Sequence, residues 1–117
     1  MNSKQKGKRG ELELANLLRS KGYDCRRGVQ YKGSPDSPDV VGLEGIHIEC
    51  KRVERNLSLE VAMLQAIHDA GENEIPVVMH RKNREFWKVT MDIDDWLKFY
   101  EVWRKENDGN GSHAEVE

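Results

Sequence analysis

Cysteine is scarce in this 117-residue chain, where Cys25 and Cys50 are the only two. They form neither a CxxC pair nor a disulfide framework, so a disulfide-stapled scaffold is excluded and a structural zinc site is not expected. No apolar run nears the ~20 residues that cross a bilayer, and the Lys-rich start (Lys4, Lys6, Lys8, Arg9) is not followed by the apolar core of a signal peptide. A cytoplasmic protein is expected, without membrane association. No glycine-rich phosphate loop with its lysine occurs, so no nucleotide cofactor is expected. The four histidines show neither zinc-ligand spacing nor an HNH-like pattern. Excess positive charge is missing too: a pI near 6.1 argues against a protein that simply coats nucleic acid. There are no internal repeats.

What is present fits one compact domain, predicted over 1–106, with 107–117 as a polar, disordered tail. The net charge of −2 hides an asymmetry, since residues 1–35 hold nine Lys/Arg against three acids and residues 36–117 hold ten against eighteen. The first third is therefore basic, by +6, and can meet phosphates. A solvated helix face is the bland alternative for such a charge run.

Apolar periodicity predicts a helix over Gln5 to Lys21, stopped by Gly22. Glu11 stands at one end of its apolar stripe, where an aliphatic residue would be ordinary. Tyr23 to Gln30 reads as a strand and Lys32 to Pro38 as an exposed loop. Asp39 to Leu43, the two-residue turn Glu44-Gly45 and Ile46 to Val53 read as a hairpin. On its second strand Ile46, Ile48 and Cys50 share one face, and His47, Glu49 and Lys51 the other. A helix over Leu57 to Ala70, capped by Asn56 or Ser58 and ended by Gly71, is predicted to lie across the sheet. Ile75 to His80 follows as the parallel strand of a crossover. Phe86 to Thr90 reads as a further strand, and Asp92 to Arg104 as a helix with Asp92 and Asp95 as a capping pair. Trp96, Phe99, Tyr100 and Trp103 form a stripe on that helix, expected to pack on the sheet or on a second subunit. The order α-β-β-β-α-β-β-α predicts an α/β domain with a mixed β-sheet flanked by helices.

The chemistry lies in Pro38-Asp39, nine intervening residues, then Glu49-Cys50-Lys51. Glu49 and Lys51 are two apart on one strand and point the same way, while Asp39 starts the neighbouring strand. Two like-charged carboxylates held close are costly unless a cation neutralises them, and hard carboxylate oxygens are what Mg²⁺ accepts, with Mn²⁺ as a substitute. Such an ion polarises a phosphodiester and acidifies water, and Lys51 can orient that water or steady the developing negative charge. The bland alternative makes Asp39 a turn residue and Glu49 with Lys51 a surface pair. The Pro-Asp spacing, the crossover helix and Glu11 favour the chemical reading. His47 shares the site face and can meet a phosphate or a nearby water, or simply be satisfied by a neighbour. Pro35-Asp36 duplicates the Pro-Asp pair, but only Asp39 runs into the apolar Val40-Val41, so Asp36 is assigned to the loop.

Arg9-Gly10-Glu11 with its Leu-rich helix, Gly22-Tyr23, Pro38-Asp39-Val40-Val41, Glu49-Cys50-Lys51-Arg52, Gln65, and Gly71 before Ile75-Pro76-Val77 together carry a family resemblance. From about Lys8 to Trp87 the chain resembles a PD-(D/E)XK nuclease, and is most similar to the archaeal-type Holliday junction resolvases. The resemblance implies a restriction-endonuclease-like core and Mg²⁺-dependent hydrolysis of DNA phosphodiesters, selective for branched DNA. It implies metal binding by Asp39 and Glu49, a catalytic Lys51, completion of the site by Glu11, and Gln65 beside it. It also implies a homodimer, the natural match to a four-way junction's symmetry. Lys6, Lys8, Arg9, Arg26, Arg27, Lys32 and Arg52 are the DNA-binding candidates, positioning the backbone without reading bases. The alternatives are a flap, single-strand or nicking nuclease of the same superfamily, or a DNA-binding module with this fold that does not cut.

Overall fold

The computed structural model describes residues 3–28, 37–53 and 58–109. Helix α1 (Ser3–Ser20) buries Leu14 and Ala15. It ends in a reciprocal pair of bonds, Gly22 N–H to the Arg19 carbonyl and Tyr23 N–H to the Leu18 carbonyl. Gly22 takes a positive φ of 101° there, the left-handed cap that glycine adopts without a Cβ penalty.

Five strands follow in spatial order β1 (Arg26–Arg27), β2 (Val40–Val41), β3 (Ile46–Val53), β4 (Ile75–Lys82) and β5 (Lys88–Met91). All pairings are antiparallel except β3 with β4, so the sheet is mixed as expected. The turn Glu44-Gly45 closes the β2–β3 hairpin through Ile46 N–H on the Leu43 carbonyl. The parallel pair is joined by helix α2 (Leu59–Asp69), whose N-cap Ser58 accepts a hydrogen bond from Val61 N–H.

Alternation along the strands sends consecutive residues to opposite faces. Ile48, Cys50, Val40 and Val77 therefore pack with Leu14 and Ala15 of α1, while Val78 packs with Ala62 and Ala66 of α2. The small residues of α2 let its backbone come close to β3 and β4. Cys25 and Cys50 are free thiols buried in the α1-side core.

Several boundaries differ from the sequence expectation. The strands predicted over Tyr23 to Gln30 and Asp39 to Leu43 pair only at Arg26–Arg27 and Val40–Val41 among the described residues. β5 starts at Lys88 instead of Phe86, because Glu85 N–H closes a turn on the Lys82 carbonyl and Arg84 adopts a positive φ of 68°. Helix α2 starts at Leu59, and Asn56, the other cap considered, lies outside the described residues. Its apolar surface is only partly used, since Val61, Leu64 and Ile67 remain exposed. The last helix, α3 (Ile93–Gly109), runs past Arg104 and through the first residues of the predicted tail. An Arg104 to Asp108 ion pair at 2.6 Å and an Asn107 Nδ2 bond to the Trp103 carbonyl continue it. Residues 110–117 lie outside the described residues. Asp92 caps this helix through Asp94 N–H, but Asp95 pairs with Lys98.

Helix α3 does not cover the sheet. Trp96, Phe99, Tyr100 and Trp103 are 43–58% exposed; Trp96 stacks on Tyr100 with centroids 5.6 Å apart, and Trp103 meets Tyr100 at a tilt. The molecule is correspondingly elongated, 54 × 34 × 28 Å.

Candidate active site

Asp39 is held three ways at the start of β2. Its N–H donates to the Ile48 carbonyl and its own carbonyl accepts from Gly28 N–H, while its Oδ2 accepts Cys50 N–H at 2.8 Å. Gly28 has to be glycine for this approach, because a Cβ there would meet the Pro38 carbonyl oxygen at 2.1 Å. The aspartate carboxylate is thereby fixed against the peptide that follows Glu49.

Glu49 is buried in the middle of β3, and Lys51 Nζ stands 3.7 Å from its Oε2. Burial, reinforced by the charge of Asp39, pushes the Glu49 carboxyl from 4.5 up to about 7, with Lys51 pulling the other way. Burial raises Asp39 as well, against the Cys50 hydrogen bond and Lys51. Glu11 reaches the same region from α1, its carboxyl raised by burial and then by Asp39, and lowered by Arg27 and Lys51. Glu11, Asp39 and Glu49, with Asp69 acting on the last two, thus share one field with Lys51.

Gly10 sets the distance between α1 and β3. A Cβ at this position would lie 2.6 Å from the Cβ of Arg52, so only glycine lets the first helix settle with Glu11 at the site. Arg27 Nε holds Glu11 Oε1 at 3.1 Å. Glu13, which the sequence reading passed over, ties α1 to the sheet by pairing with Arg52 at 3.3 Å and Arg81 at 2.8 Å.

Gln65 is exposed on α2 and meets the site through an intermediary, donating from Nε2 to Asp69 Oδ2 at 2.7 Å. Asp69 in turn approaches Glu49 and His47, with one ligand atom of each within 4.8 Å of the others. Sequence reasoning missed Asp69: its place four residues after Gln65 puts the two on one helix face, but no local pattern brings that face to Glu49 and His47.

The basic candidates separate into groups. Lys8, Arg9 and Arg26 are exposed, α1 lies against β1, and among the described residues no ion pair engages the three side chains. Arg27 and Arg52 are instead engaged with Glu11 and Glu13, and Arg52 also bonds Asn83. The side chain of Lys6, like that of Lys4, and the whole of Lys32 and Asp36 lie outside the described residues.

The family model of archaeal Holliday junction resolvases (Hjc) matches residues 2–96. The chain belongs to that family. The structure is also similar to that of Archaeoglobus fulgidus Hjc, a Holliday junction resolvase from an archaeal hyperthermophile. The TM-score is 0.55 at 25% identity, over 71% of this chain and 74% of that one. No curated protein matches the chain significantly. The Hjc family places the chain in the PD-(D/E)XK nuclease superfamily, and its mixed five-stranded sheet with flanking helices is the restriction-endonuclease-like fold. Among the described residues, no helix is long and apolar enough to cross a membrane.

Proposed function

We propose that the chain is a divalent-metal-dependent DNA endonuclease that resolves four-way junctions as a homodimer by paired, symmetric nicks. The observation that carries this is the meeting of Glu11, Asp39 and Glu49 around Lys51, with all three carboxyls raised together. Crowded, half-buried carboxylates of like charge favour the arrival of a cation among them. The donor set fits a hard divalent ion, since Asp39 and Glu49 offer carboxylate oxygens and Asp39 Oδ1 is not the atom bonded to Cys50. Mg²⁺ suits such donors, and Mn²⁺ is expected to replace it.

When bound, the ion polarises the scissile phosphate and acidifies water. The chain's own residues supply the rest. Cys50 N–H fixes Asp39, so this ligand does not have to be ordered when substrate arrives. Lys51 Nζ stands beside Glu49 and is 40% exposed along its side chain, so its ammonium is placed to steady charge developing on the phosphate. Glu11, restrained by Arg27, completes the acidic wall. Gln65 acts at one remove, by orienting Asp69. Lys8, Arg9 and Arg26, with Lys6 and Lys32, bind the phosphate backbone and leave selectivity to the shape of the branched substrate.

The test is an end-labelled immobile four-way junction beside matched linear duplex, with Mg²⁺ or EDTA and with Glu49→Gln. Paired symmetric nicks that require both Mg²⁺ and Glu49 are the expected result. Metal-dependent cutting indifferent to the junction would point to a flap or nicking enzyme. No cutting with intact DNA binding would leave a binding module.

A further inference from the structure

His47 is fully buried, and neither ring nitrogen has a hydrogen-bond partner. A buried polar group without partners is costly, and native proteins rarely keep one without use. Its neighbours are acids: Glu74 Oε1 is 3.4 Å from Nδ1, and ligand atoms of His47, Glu49 and Asp69 all lie within 4.8 Å of one another. Resting on the nuclease reading above and deepening it, we propose that His47, Glu49 and Asp69 form a second divalent-cation site. This site shares Glu49 with Asp39 and is selective for a first-row transition ion over Mg²⁺.

The donor chemistry decides the class of ion. Asp39 and Glu49 present oxygen alone, which suits Mg²⁺, whereas an imidazole nitrogen with two carboxylates suits Mn²⁺, Co²⁺ or Zn²⁺. The surroundings are those of a ligand set. A carboxylate beside Nδ1 favours the tautomer that keeps its proton there and leaves the Nε2 lone pair for an ion, the usual arrangement around a metal-binding histidine. Asp69 is oriented by Gln65 Nε2 on Oδ2 and by His68 Nδ1 at 2.9 Å from Oδ1, and each oxygen keeps a further lone pair. Ligand atoms about 2.1 Å from an ion lie ~3–4 Å apart, a closure within reach of side-chain rotation at Glu49 and Asp69.

The site also explains Gln65. Its amide does not reach the Asp39 and Glu49 carboxylates by any hydrogen bond found among the described residues, yet it fixes the one ligand that comes from α2. The crossover helix is thereby joined to the metal chemistry of β3.

The experiment uses the full chain stripped with EDTA. Co²⁺ alone is titrated by visible absorption and calorimetry, Mg²⁺ alone by calorimetry, and circular dichroism confirms folding. We expect Co²⁺ to bind more than about tenfold tighter than Mg²⁺ and Asp39→Asn to keep a Co²⁺ site. His47→Gln and Asp69→Asn should each weaken that site by more than about 10²-fold, and Gln65→Ala by about 10- to 100-fold, as for loss of an outer-shell partner. Should His47→Gln fail to fold, Asp69→Asn decides, supported by contact-shifted imidazole signals in wild-type Co²⁺ protein. Co²⁺ binding unchanged in the folded His47 or Asp69 variants, or abolished by Asp39→Asn, overturns the proposal. The nuclease reading fails separately: a chain that takes Co²⁺ through His47 yet cuts no DNA keeps this site, and one that nicks junctions with Co²⁺ binding indifferent to His47 loses it.

Discussion

Glu49 lies between the half-buried Asp39 and Lys51, and its titration should be visible in the stability of the metal-free protein. Its carboxyl is raised from 4.5 to about 7, so between these values the folded chain holds more proton than the unfolded chain. Stability then falls as pH rises through that window, and raised Asp39 and Glu11 act in the same direction. Urea midpoints measured in EDTA from pH about 5 to about 8 should decline for wild type and flatten in Glu49→Gln. A divalent ion competes with the same protons, so its affinity should rise over this range. Lys51→Ala should lower the cleavage rate by about 10²–10³-fold, the loss typical of a single group steadying developing charge. Asp39→Asn and Glu49→Gln should abolish cleavage while leaving the fold and much of the DNA affinity, read by single-turnover assays beside binding. The residue types of this site were legible because strand alternation alone puts Glu49 and Lys51 on one side. Asp69 was not, because only the packing of α2 on β3 brings it there.

At the scale of elements, the first helix is a test of packing against propensity. Gly7 and Gly10 both sit inside α1, where glycine is disfavoured, yet a Cβ at Gly7 would meet nothing within 4 Å and one at Gly10 would strike Arg52. Gly7→Ala should therefore stabilise by about 0.5–1 kcal/mol. Gly10→Ala should destabilise by about 1–3 kcal/mol, as overpacking does, and also slow cleavage by displacing Glu11. Denaturant unfolding of the two variants side by side measures the contrast. The sequence announced the helix, its Gly22 stop and the crossover, all local signals. It misjudged β5 and α3 because the turn bond at Glu85 and the helical pairs around Asp108 extend or delay elements in ways that a hydropathy pattern does not record.

For the whole molecule, the proposed function predicts a mass of twice 13.5 kDa by sedimentation equilibrium, since two symmetric cuts call for two active sites. Junction affinity should fall with salt. Each of Lys8→Ala, Arg9→Ala and Arg26→Ala should reduce the log–log slope by about 0.9 if that side chain neutralises one phosphate. Arg52→Ala should act mainly through stability, because Glu13 already holds that guanidinium. The aromatic stripe on α3 was expected against the sheet or a second subunit. Its rings stay half exposed, with Trp96 and Trp103 resting on Tyr100, so the sheet is not what covers them.

Sequence alone determined the α/β class and the hairpin that carries Asp39, Glu49 and Lys51. These follow from periodicity and from residue type, which act over a few neighbouring positions. Tertiary structure decided which of the described arginines are held by acids, that Gln65 bonds Asp69, and that His47 lies fully buried among carboxylates. Each of these depends on the distance between segments far apart in the chain. That distance is set by close approaches at Gly10 and Gly28 and by the docking of small α2 residues on the sheet, which no local pattern encodes.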